Sequence, residues 1–198
     1  PNDGGGYCIS PEAQATYQKG VPNGAQSNYW FSFVNKVAKE IKKSHPDKQI
    51  SVLAYSSHEA VPDFPLEDNV VVHFCYSANR MPYDKKSNEV QLNNLKKWLK
   101  TGSPMYLWLY NTFPREKAMR GNFYMFPGFF AHELAKQMKY FKEIGIRGIF
   151  HCGWGEEVEN YLNYRLMDDP DQDVDKLLDE YFTRMYGKAG KPIKEMYS

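Results

Sequence analysis

The sequence predicts an α/β fold in which short parallel strands are covered by amphipathic helices. Three observations predict it. Four short runs, at 50–55, 69–75, 105–110 and 146–150, are apolar on both faces, as strands of a covered parallel sheet are. Segments with apolar residues at helical spacing separate most of these runs. Polar and aromatic residues gather directly after each run, where ligands meet the carboxyl ends of parallel strands.

Residues 1–10 read as a loop of the kind that follows a strand. Its three consecutive glycines, Gly4 to Gly6, suit a close backbone approach or a tight bend. Asp3 either holds a ligand there or closes an Asx-turn. Residues 11–26 are polar and aperiodic and read as a surface excursion. Ser27 reads as an N-cap. Trp30, Val34, Val37, Ala38 and Ile41 then predict a helix over 28–44, ended by Pro46.

The first apolar run is followed by Tyr55, Ser56, Ser57 and His58. The second carries His73 and Cys75 and is followed by Tyr76. The prolines Pro62 and Pro65 leave room for little helix between them. A polar loop over 77–87 contains Arg80. Val90, Leu92, Leu95, Trp98 and Leu99 predict a helix over 88–101, stopped by Gly102 and Pro104. The third run ends in a cluster of Trp108, Tyr110, Asn111 and Thr112. A long loop over 113–127 follows, with Arg115, Arg120, Asn122, Phe123 and Tyr124; loops of this length are commonly functional. Phe130, Leu134, Met138 and Phe141 predict a helix over 129–144.

The stretch 146–157 organises the chain. Gly145 ends the preceding helix, Ile146 to Phe150 form a strand, and His151, Cys152, Trp154, Glu156 and Glu157 fall where that strand gives way to its loop. Gly153 and Gly155 allow a sharp turn. A plain strand-to-helix turn accounts for the same residues, with Glu156 and Glu157 complementing a helix dipole. Val158, Tyr161, Leu162 and Leu166 predict the next helix, to about 167. Val174, Leu177, Leu178, Phe182 and Met185 predict the last, over 173–186 and ended by Gly187.

Parallel strands joined by right-handed connections share one carboxyl rim. On it the sequence places Tyr55, His58, His73, Tyr76, Tyr110, Asn111, His151, Trp154, Glu156 and Glu157, with Asp3 if a strand precedes it. Four strands cannot close a barrel of eight. The expectation is therefore one domain over 1–198 that forms the C-terminal half of a (β/α)8, TIM-type barrel, its partner being the missing N-terminal half. A small open α/β sheet is the alternative.

Composition narrows the function. The net charge of +1 is interspersed and leaves no nucleic-acid footprint. No apolar stretch approaches a membrane span. Aromatics make up 16% of the chain, enough for a core and for a cleft that stacks on flat or sugar-like ligands. Cys8, Cys75 and Cys152 are an odd count without a Cys-x-x-Cys pair, so no disulfide framework is expected.

Several stretches resemble a known family: Pro1-Asn2-Asp3-Gly4-Gly5-Gly6-Tyr7-Cys8, Phe33-Val34-Asn35-Lys36-Val37-Ala38, Ser51-Val52-Leu53-Ala54-Tyr55, and Asp179-Glu180-Tyr181-Phe182 through Tyr186-Gly187. The family is a bacterial domain-of-unknown-function family of glycoside-hydrolase-like (β/α)8 barrels. Some members are described as endo-β-N-acetylglucosaminidases, and in fold the family resembles hexosaminidases and α-glucuronidases. The resemblance implies a secreted or periplasmic protein of carbohydrate metabolism acting on a glycan or oligosaccharide. Family members often carry further cysteines just after Cys8, and this chain has none there.

Glycoside hydrolysis needs two carboxyl groups, or one acid and one orienting carboxylate when the substrate's acetamido group assists. Asp3, Glu156 and Glu157 are the expected catalytic set; Glu59 and Asp84, in loops, rank lower. Tyr55, Tyr76, Trp108, Tyr110 and Trp154 are expected to meet the sugar, with His58, Asn111 and His151 as polar contacts. No cofactor and no metal are expected. Two other classes stay open: a non-catalytic glycan-binding protein, and a metal-dependent hydrolase using His58, His73, His151 and Asp3.

Overall fold

The structure, a computed structural model, describes residues 6–78, 84–111, 131–152 and 157–197. Among them the element order is α1 (Pro11–Ala15), α2 (Ser27–Ser44), β1 (Ile50–Ala54), β2 (Val70–Tyr76), α3 (Lys85–Leu99), β3 (Met105–Leu109), α4 (Ala131–Glu143), β4 (Ile149–His151), α5 (Glu157–Asp168), α6 (Val174–Tyr186) and α7 (Gly190–Tyr197).

The four strands form one sheet in the order β1-β2-β3-β4, and every pairing is parallel. The order follows the chain without reversal. Side chains alternate between the two faces of each strand. One set (Ala54, Val70, Val72, Phe74, Tyr76, Met105, Leu107 and Leu109) belongs to a single apolar core with Phe31 and Val34 of α2, Leu95 and Trp98 of α3, Leu134 and Met138 of α4, Leu162 and Leu166 of α5, and Leu178 and Phe182 of α6. The helices thus cover that face.

The other face carries Leu53, His73, Tyr106, Trp108 and Phe150, and Phe150 is 47% exposed. Its rings stack across neighbouring strands. His73 lies on Tyr106 at 5.0 Å between centroids, and Trp108 meets Phe150 at 4.1 Å. Gly148 makes room for this arrangement, since a Cβ there would come within 2.9 Å of the Tyr106 ring.

Three differences from the sequence expectation have simple causes. Ser27 does not cap α2. It is the first helical residue, and its N–H bonds the Gly24 carbonyl while the Gln26 N–H bonds that of Ser57, so a backbone turn replaces the side-chain cap. The surface excursion includes the five-residue α1, whose signal is Ser10 capping the Ala13 N–H just before Pro11. The chain does not end its helices at Gly187 either: α7 follows, because Gly190 lets two turns meet closely. A Cβ there would lie 2.4 Å from the Phe182 carbonyl oxygen. Ile193 and Tyr197 then pack on the core, and the Tyr197 hydroxyl bonds Glu159.

Gly190→Ala should accordingly destabilise the protein by about 1–3 kcal/mol through overpacking against backbone. Urea unfolding of the two proteins checks this, and an unchanged midpoint would show that α7 docks differently.

Candidate functional site

At the carboxyl end of β1 the chain turns through Tyr55, a 3₁₀ turn over Ser56–His58, and Glu59. Ser56 has φ 50°, a left-handed conformation that serine adopts at some energetic cost, and Asn23, on the facing loop, has φ 54°. That turn of Asn23 aims its carbonyl at the N–H groups of Glu59 (2.8 Å) and Ala60 (3.0 Å). Between these segments opens a cleft of about 520 Å³. Tyr55 and Tyr110 stand at it from the ends of β1 and β3, with Ser57, Ser77, Cys75, Gln91 and Asn23 around them.

Glu59 forms part of the cleft wall but is only 2% exposed. Its carboxylate accepts from Asn23 Nδ2 (3.2 Å to each oxygen), from Gln91 Nε2 (2.9 Å) and from Asn94 Nδ2 (2.9 Å). Its backbone carbonyl accepts from Trp98 Nε1 at 2.7 Å. Gln91 also bonds the Cys75 carbonyl and takes the Ser77 N–H. One buried carboxylate therefore ties together the loop before α2, the end of β1 and the inner side of α3. Burial pushes its pKa above the usual carboxylate range, against the amide bonds that favour the charged form. Its contribution to stability is present below the ordinary carboxylate pKa and is lost as pH rises through the elevated value.

His58 sits beside it, 1% exposed, among the rings of Tyr7, Trp30, Phe31 and Tyr55. Its Nδ1 shares a hydrogen with the Tyr7 hydroxyl, and its Nε2 has no partner among the described residues. Burial depresses its pKa to about 4, so the imidazole is neutral.

The structure brings only some of the sequence-predicted residues to this cleft. Tyr55 and Tyr110 line it. His58 backs it and is too enclosed to bond a ligand hydroxyl. Tyr76 is fully buried on the helix side of the sheet with its hydroxyl on Asn88, away from the rim. Trp108 lies one register step down the open face. Asn111 and His151 also turn from the rim. Asn111 is fully buried and donates to Asn163 Oδ1 of α5 at 3.3 Å, while His151 pairs in register with Leu109 and so faces the helices, near Tyr164. Glu157 begins α5, exposed, and accepts from the Tyr181 hydroxyl at 3.3 Å. Asp3, Trp154 and Glu156 lie outside the described residues.

The histidines His58, His73 and His151 occupy three different surroundings and do not converge. Among the described residues no three His, Cys, Asp or Glu side chains are grouped to hold a metal. The three cysteines are all free thiols. No described helix is long and apolar enough to cross a membrane.

The family model described as "Domain of unknown function (DUF4838)" matches residues 1–198. The chain belongs to this family. A search of curated proteins and one of solved structures each returned no match. In this DUF4838 chain Glu59, which the sequence ranks below Asp3, Glu156 and Glu157 as a catalytic carboxylate, lines the cleft as a carboxylate held by amides. A signal for it exists. Gln91, Asn94 and Trp98 share one side of α3 at spacings of three and four, and two amides on a buried helix side call for a buried acceptor.

The neutral, buried His58 gives a pH signature. The folded pKa lies below the unfolded one, so its stabilising contribution is complete above about 6.5 and is lost as pH falls towards about 4. Wild type should lose roughly 2–3 kcal/mol over that window through this group. His58→Phe should flatten the slope in urea unfolding at stepped pH; an equal slope in both proteins would place the titrating group elsewhere.

Proposed function

We propose that the chain is a carbohydrate-active hydrolase that cleaves glycosidic bonds of a glycan seated in the carboxyl-edge cleft. The make-up of that cleft carries the reading. Two strand-end tyrosines, Tyr55 and Tyr110, stand with the amides of Asn23 and Gln91 and the hydroxyls of Ser57 and Ser77 around about 520 Å³. Aromatic faces suit the C–H faces of a sugar ring, and amides and hydroxyls suit its hydroxyl groups.

Hydrolysis requires two carboxyl groups, about 5 Å apart for retention and about 6.5–9.5 Å for inversion. Glu59 is occupied by its amides and Glu157 is engaged by Tyr181. The pair in this reading is therefore Asp3 with Glu156, Glu156 coming shortly after β4 in chain order and Asp3 joining the rim if a strand precedes it, and an acetamido group of the substrate is a further source of assistance. The sheet is read as half of a (β/α)8 barrel, closed by further β/α units over the aromatic face that carries Trp108 and Phe150. The unreversed strand order and the placing of the helices on one face support this. A secreted or periplasmic location goes with such an activity. The saturated state of Glu59 favours one second reading, a glycan-binding protein without turnover.

Oligosaccharide binding by calorimetry, together with hydrolysis by product analysis, tests both. Asp3→Asn or Glu156→Gln should lower turnover about a hundredfold or more while affinity holds. Tyr110→Ala should weaken binding about tenfold by removing buried ring area. Binding by wild type without any hydrolysis would leave the second reading standing, and failure to bind any glycan would end both.

A further inference from the structure

We infer that Asn23 is the residue that reads a hydroxyl group of the bound sugar: its side-chain carbonyl accepts from that hydroxyl, and Glu59 is the positioning residue that turns it toward the ligand. This rests on the sugar-binding reading above and names the contact that sets its specificity.

Two amide side chains line the cleft, Asn23 and Gln91, and they are not equivalent. Gln91 is spent within the protein. Its Nε2 donates to Glu59 Oε2 at 2.9 Å and to the Cys75 carbonyl at 3.3 Å, and its Oε1 accepts from the Ser77 N–H at 3.1 Å. Asn23 is exposed, and its side chain is committed through the nitrogen. Nδ2 lies 3.2 Å from each Glu59 oxygen, so a flipped amide would set its carbonyl against the same carboxyl group. The amide oxygen is thereby left to the cleft as an acceptor.

The backbone fixes the residue as well. Its carbonyl takes the N–H groups of Glu59 at 2.8 Å and Ala60 at 3.0 Å, and its φ is 54°. Glycine is the usual residue at such an angle, and would keep those backbone bonds without a side-chain oxygen. Asparagine tolerates the angle and adds the acceptor. An acceptor already held at its backbone and at its nitrogen has little freedom left to lose when a ligand binds. A site that bonds a hydroxyl in this way rejects an analogue lacking it, because the protein group is then covered without a partner.

The experiment titrates the full chain by NMR with the methyl glycosides of glucose, galactose, mannose and N-acetylglucosamine, and with their monofluorinated counterparts. A C–F group donates no hydrogen bond. In wild type at least one fluorinated position should cost about tenfold in affinity. In Asn23→Gly that loss should vanish, while losses at other positions stay. Circular dichroism checks that this variant folds, since Glu59 loses one of its donors there. If it does not fold, wild type decides: the Asn23 amide protons should exchange slowly with water, and its side-chain carbonyl carbon should shift as a glycoside binds. Rapid exchange or an unmoved carbonyl overturns the inference. So do equal losses at every position in the two proteins, and either outcome leaves sugar binding intact. No binding by any glycoside removes the sugar-binding reading, and this inference with it.

Discussion

A carboxylate withdrawn from water must find donors or give up its charge. Glu59 finds three amides, and the carboxyl edge of the sheet is built around that solution. Asn23 takes a left-handed backbone so that both its amide and its carbonyl serve Glu59. Gln91 and Asn94 use positions on α3 that apolar residues would otherwise fill, and Trp98, one turn further on, holds the Glu59 carbonyl. Removing any one donor would leave a buried acceptor short, a loss of about 1–3 kcal/mol. The cleft therefore has a stiff floor, and Tyr55 and Tyr110 stand beside backbone that is fixed from several directions.

Two environments meet at this edge. The side facing the helices is apolar apart from a few buried polar side chains, such as Asn111 with Asn163, and His151 beside Tyr164. The opposite side is ringed with stacked aromatics and half open. Alternation along each strand decides which environment a residue enters, and a shift of one position exchanges them. That is why Tyr110 reaches the cleft while its neighbour Asn111 does not.

The same alternation sets how far the sequence could be read. The strands and the helices α2 to α6 were legible to within a few residues, since doubly apolar runs and helical spacing are signals carried by every residue of the element. The parallel, sequential sheet followed from their order. Short pieces were not legible: α1 has too few residues for periodicity, and α7 hides behind Gly187, which reads as the end of the helices, while the close approach of Gly190 to Phe182 shows the chain packing back. At the rim, listing residues after each strand could not say which face each side chain takes, so Tyr76, Asn111 and His151 were placed at an edge they turn away from. Glu59, which the sequence ranks low among the carboxylates, is the converse case. Its importance lies in distant partners, and an isolated glutamate in a loop carries no mark of them.

The sheet has one more property, visible in its first and last strands. Among the described residues β1 bonds only β2 and β4 only β3, so each presents a row of peptide N–H and C=O groups to its outer side. Proteins ordinarily shield such borders, because a bare one invites addition of a strand from any neighbour. The two borders lie on opposite flanks of the half-open aromatic surface, and they are where any further strand would continue the sheet in the same parallel sense.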